Sequence, residues 1–148
     1  MGIEKDIHQN RFANEFQKCT VNLIFTYNWI NERLKACLDC EDITLQQFNI
    51  LRILNGSAEP LSTLRIRERM LDRMSDTSRL VDRLVAKGLA AKRVAKTDRR
   101  LVDVTITRKG VALLEKLDKK SGQMDRILSA LSEKECKSLN KLLDKLRG

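Results

Sequence analysis

A mainly helical single domain carrying one small β-hairpin, in the order α-α-α-α-β-β-α-α, is the fold this sequence predicts. Three observations predict it. The 148 residues, 42% apolar and 33% charged, suit one globular domain. Apolar residues recur at steps of three and four along most of the chain, which is the period of a helix packed on one face. Only around Val102, Val104 and Ile106 does the step drop to two, the period of a strand.

From about Ile7 to Leu38, Phe12, Phe16, Cys19, Leu23, Tyr27, Ile30, Leu34 and Leu38 form one apolar stripe, predicting a single long helix. Thr44 and Gln47 make a capping-box pair before Leu45, Phe48, Leu51 and Leu54, and Asn55-Gly56 supplies a left-handed stop. The only proline, Pro60, falls in a short loop. Ser62 is placed as the N-cap of a third helix running to about Met70, with Leu61 and Ile66 as a hydrophobic staple. Leu80, Val81, Leu84 and Val85 mark one face of a fourth helix that ends at Lys87-Gly88; Asp76, Ser78, Arg79, Asp82 and Arg83 mark the other. Leu89 to Ala95 pairs with the alternating segment Leu101 to Thr107 across the charged tip Lys96-Thr97-Asp98-Arg99-Arg100. Thr107 caps a further helix carrying Val111 to Leu131, interrupted near Ser121-Gly122. Ser132 and Glu135 box the last helix, which bears Cys136, Leu139, Leu142, Leu143 and Leu146.

Two short helices joined by a tight turn and followed by a basic hairpin make a winged helix-turn-helix, whose second helix has about the width of the DNA major groove. The charge agrees. The chain has 29 Lys and Arg against 20 acids, a formal +9. Leu61 to Gly110 alone carries fourteen of those cations and six acids, which is eight of the nine excess charges. A basic middle between near-neutral ends points to a polyanion bound by residues 44–110, with 1–40 and 111–148 left for dimerisation.

The run Ser78 to Gly110, SRLVDRLVAKGLAAKRVAKTDRRLVDVTITRKG, resembles the signature of MarR-family transcriptional regulators. It has their recognition helix, Lys-Gly-Leu, strand, Asp-x-Arg wing tip, second strand and Thr-x-x-Gly helix start. The resemblance implies that Arg100 enters the minor groove, that Asp98 holds the wing, and that Gly88, Thr107 and Gly110 are framework positions. The residue chemistry agrees, because a narrow, negatively charged groove attracts a guanidinium that a carboxylate orients. Lys96 and Arg99 add charge beside the backbone. In the recognition helix Ser75, Asp76, Thr77, Ser78 and Arg79 form the turn offered to base edges, with Arg83 one turn further on. Asp76 departs from what DNA favours: it either accepts from a cytosine amino group or, the preferred reading, caps the helix and orients Arg73 or Arg79. Arg65, Arg67 and Arg69, spaced by two, cannot all face one way.

No enzyme is expected. His8 is the only histidine and has no nucleophile at a suggestive spacing, and the sequence has no phosphate-cradling glycine loop. Cys37 and Cys40 have a CxxC spacing without a second pair, so neither metal nor cofactor is predicted, and the four cysteines are read as reduced. Cys19 is the exception. One MarR subgroup senses organic hydroperoxides with a first-helix cysteine, although Cys19 falls about one residue from that place and lies on the apolar stripe. Phe16, Tyr27, Trp29 and Phe48 are the candidates for the aromatic-ligand pocket the resemblance implies, with core packing preferred for Phe16 and Phe48. The start lacks a signal-like apolar core and no stretch reaches the ~18 apolar residues of a membrane span. The expected protein is a cytoplasmic homodimer and a repressor. It binds a pseudo-palindromic duplex operator and is released by a small aromatic effector. The alternatives are a thiol-based regulator using Cys19 and a winged-helix module that binds something other than DNA.

Overall fold

The computed structural model describes residues 2–148. Among the described residues, eight helices and three strands run in the order α1 (Ile3–Asp6), α2 (Glu15–Leu38), α3 (Leu45–Asn55), β1 (Leu61–Ser62), α4 (Thr63–Arg69), α5 (Thr77–Ala86), β2 (Ala90–Val94), β3 (Val102–Ile106), α6 (Arg108–Lys119), α7 (Ser121–Asp125) and α8 (Glu133–Arg147). Single 3-10 turns follow α2 and α7. The winged helix-turn-helix expected from sequence is this arrangement of α3, α4, α5 and the β2–β3 hairpin.

Local chemistry sets the boundaries. Thr44 and Gln47 form the reciprocal capping box on α3, and Ser132 and Glu135 form the one on α8. Ser62, Asp76 and Thr107 each accept a backbone N–H of the helix that follows them. The sheet order is β1-β3-β2, all antiparallel, with Leu61 opposite Val104 and Val94 opposite Val102. Ile50, Leu51, Leu61, Ile66, Val81, Leu84, Val104, Leu114 and Leu117 are fully enclosed. They form one core in which α3, α4, α5, the sheet and α6 meet.

Two glycines are required where they stand. Gly88 ends α5 at φ +72°, a conformation that costs a Cβ-bearing residue energy. At Gly110 a Cβ would lie 2.3 Å from the Leu89 carbonyl oxygen and 2.7 Å from Ile106 Cγ1, so α6 reaches the sheet this closely only without a side chain there. Thr107 binds the same corner, donating its hydroxyl to the Gly88 carbonyl at 2.7 Å and accepting from Gly110 N–H at 3.1 Å.

Several expectations are corrected. The first helix is not continuous from Ile7: α2 starts at Glu15, because the Asn14 side chain accepts from Gln17 N–H while Gln17 accepts from Ala13 N–H. His8 therefore lies outside any helix, at φ +53°. Gly56 is right-handed (φ −81°) instead of a left-handed stop. The two-residue strand β1, paired with β3, has no counterpart in the expected order of elements. The helix after the hairpin breaks at Lys120, next to the anticipated interruption.

Candidate nucleic-acid interface

Helix α5 divides its residues sharply. Val81 and Leu84 lock its inner face into the core, leaving Ser78, Arg79, Asp82 and Arg83 exposed on the other. Asp76 resolves its own anomaly. Its Oδ1 accepts from Arg79 N–H at 3.3 Å and its Oδ2 lies 3.3 Å from Arg79 Nε. One carboxylate thus caps the helix and orients the arginine one turn on, while Arg73 takes no part in the pair. Asp82 forms an ion pair with Lys92 of β2, tying the recognition helix to the wing. The incoming turn is fixed by Asn49, whose Oδ1 accepts from Leu71 N–H at 3.0 Å.

Thr77 is a correction. Only 4% of it is exposed, so its side chain cannot lie against DNA as expected from sequence. Its hydroxyl and that of Ser75 are buried without a hydrogen-bond partner among the described residues, and both residues border a cleft of about 410 Å³ between α4 and the start of α5, which Arg67 also lines. Polarity alone places Thr77 on the outer face; at the first position of a capped helix it turns inward.

At the wing tip, Leu101 N–H donates to the Asp98 carbonyl at 3.0 Å, closing the turn. Asp98 Oδ1 accepts from the Arg100 backbone N–H at 3.0 Å, and its two oxygens take Arg100 Nε and Nη2 at 3.2 Å each. These bonds, the guanidinium's foremost, hold the Asp98 carboxyl below its ordinary range. The Arg100 side chain is nonetheless 90% exposed: it is aimed, with its outer edge open. Lys96 and Arg99 stand exposed on the same loop. Arg65, Arg67 and Arg69 are all exposed on α4, and Arg67 lines the cleft at the start of α5.

Residues 41–101 match the model of the MarR family. The structure resembles a MarR transcription factor from Planctomyces limnophilus with 30% identity and a TM-score of 0.69, over 90% of this chain and 98% of that one. The chain belongs to the MarR family. It is a DNA-binding transcriptional regulator of that family and not an enzyme. A further relative is the HTH-type transcriptional regulator MhqR of Bacillus subtilis, 26% identical over 87% of this chain and 89% of that protein. The same fold is found in a mutant MarR from E. coli complexed with operator DNA (TM-score 0.81, 23% identity, 93% of this chain and 99% of that one).

Neither the cleft beside Thr77 nor a second of about 570 Å³ is lined by any of the four aromatic candidates. Phe16 is 85% exposed, against the core packing expected of it, whereas Phe48 packs on the core under Arg52. Tyr27 is exposed, and the Trp29 ring lies under the Arg33 guanidinium at 3.6 Å. Cys19, expected on a packed stripe, is exposed. Among the described residues no His, Cys, Asp and Glu cluster could hold a metal ion, and no helix is long and apolar enough to cross a membrane.

Proposed function

We propose that this MarR-family regulator is a cytoplasmic homodimer that represses transcription by reading a pseudo-palindromic operator. In this reading residues 44–110 bind DNA and residues 1–40 and 111–148 dimerise. Ser78, Arg79 and Arg83 face base edges, Asp76 orients Arg79, and Ser75 stands at the helix entry. Arg100, held by Asp98, enters the minor groove, while Lys96 and Arg99 contact phosphates. The observation that carries it is the geometry of Asp98 and Arg100. A guanidinium clamped by a carboxylate yet 90% exposed on a thin hairpin is preorganised for a narrow groove, where an unclamped arginine would lose more freedom on binding.

Dimerisation is supported by what one chain leaves uncovered. Helix α8 has no buried residue although it carries Leu139, Leu142 and Leu146, and Leu38 is the only buried residue of the 24 in α2. A second protomer covering both stripes would remove this apolar surface from water. Release by a small aromatic effector is the remaining part of the reading; Tyr27 and Trp29 on α2 would then need partner residues to complete a pocket. Exposure of Cys19 favours a second reading, thiol-based sensing, in which peroxide releases DNA from the native protein and not from Cys19→Ser.

Selection from random duplex DNA tests the main reading. The expected result is a pool converging on an inverted repeat with half-sites about one helical turn apart, bound with steep salt dependence. A pool that stays random would overturn it.

A further inference from the structure

The turn between α4 and α5 holds the two most exposed large apolar side chains of the described residues, Leu71 at 89% and Met74 at 94%. The backbone beneath them is fixed. Asn49 Oδ1 on α3 accepts from Leu71 N–H at 3.0 Å, the Asp72 carbonyl accepts from Ser75 N–H at 3.3 Å, and Asp72 Oδ1 accepts from Met74 N–H at 3.0 Å. The last two bonds close a turn whose corner is Arg73 and Met74, braced by Asp72 in the manner of an Asx turn. Such corners favour polar residues, and a side chain left almost wholly in water adds nothing to the core. The apolar stripes left for a second protomer are on other elements, α2 and α8.

The chain runs from Met74 straight into the recognition helix. Asp76, which caps α5 and orients Arg79, is two residues on, so the Met74 Cα lies within about 7 Å of the Asp76 Cα. Arg69 and Arg73 are exposed as well, so the corner joins apolar surface to positive charge. That combination fits a groove walled by phosphates, where the thymine methyl is the apolar group a base pair presents. We propose that Met74 is a specificity-determining residue that packs its side chain on a thymine methyl group in the major groove, beside the bases met by the start of α5. An unbranched, polarisable thioether adapts its shape to such a contact. The contact would tell thymine from cytosine, which carries hydrogen at the same ring position. This inference rests on the DNA reading proposed above and adds a base-reading residue outside α5.

Deoxyuridine tests it, because it pairs as thymidine does and lacks only the methyl group. In the operator obtained by selection, thymines are replaced one position at a time, in both half-sites together, and affinity is measured for the native chain and for Met74→Ala. Native binding is expected to weaken at one position by about fourfold per half-site, the worth of one buried methyl group, and so by about fifteenfold for the pair. Met74→Ala should bind the unsubstituted operator more weakly by a similar factor and lose its response to deoxyuridine at that position alone. Its melting temperature should stay native, since the side chain it shortens is in water. Native binding indifferent to deoxyuridine at every position overturns the inference. So does a Met74→Ala variant that responds to deoxyuridine as the native protein does, or one that binds the operator equally well, which would leave the corner to a protein partner. A converged operator with no sensitive thymine defeats this inference alone; a selection that yields no operator defeats the DNA reading itself, and this inference with it.

Discussion

Arg99 and Arg100 are adjacent, equally charged and differently held, since only Arg100 is engaged by Asp98. Replacing Arg100 with lysine keeps the charge and removes the planar fork, so it should cost about 1–3 kcal/mol on the preferred operator and almost nothing on scrambled duplex. Arg99→Lys should be silent on both, and Arg99→Ala should lower the salt slope by about one charge per protomer. Titrations of the two duplexes at two salt concentrations measure all three; equal small losses for the two lysine variants would reduce the wing to a charge. Asp98 adds a pH signature. Its folded pKa lies below the ordinary value of 3.8, so what it contributes is present above that value and is lost as pH falls through the lowered one. The Arg100 Nε–H resonance should therefore hold its position from about pH 8 to about pH 5 and move only in stronger acid. A shift near neutrality would show that another group holds the arginine.

At the scale of elements, the close packing of α6 on the sheet makes Gly110 the position least able to change. Gly110→Ala drives a Cβ into the Leu89 carbonyl, a rigid backbone atom, and should cost at least about 1–3 kcal/mol in urea unfolding. Gly122→Ala, with nothing within 4 Å, should be neutral or slightly stabilising. Similar losses in the two variants would contradict the assigned corner. Elements defined by neighbours in sequence were legible in it: the caps at Thr44, Ser62, Thr107 and Ser132, and the hairpin that the two-residue period of Val102, Val104 and Ile106 reveals. What depends on distant residues was not. β1 exists only because Leu61 reaches Val104, and the Asp82–Lys92 tie needs the turn at Gly88 to bring α5 beside β2. The break before Glu15 had a local signal, the Asn14 and Gln17 pair, hidden by a stripe that continued through Phe12. For the candidate site, Asp98, Arg100, Arg79 and Asp76 stood out by residue type and position, whereas the inward turn of Thr77 depends on how α5 meets α4.

The whole molecule is organised by what a single chain cannot cover. Helix α8 and most of α2 contribute no enclosed side chain, while the middle of the chain holds most of the enclosed core and carries nearly all the excess charge. Sedimentation should find a dimer at micromolar protein, and Leu142→Glu with Leu146→Glu should dissociate it while leaving the winged helix-turn-helix folded, because neither residue belongs to the central core. A monomer for the native chain, or a double variant that remains dimeric, would remove α8 from the interface. Two lobes held at a fixed separation can read two half-sites only when both face the same side of the duplex. The most direct test is therefore to insert about half a helical turn, ~5 base pairs, between the half-sites of the selected operator and measure its affinity. Affinity should fall to nearly that of scrambled DNA; affinity independent of the spacing would contradict a paired reading of the operator.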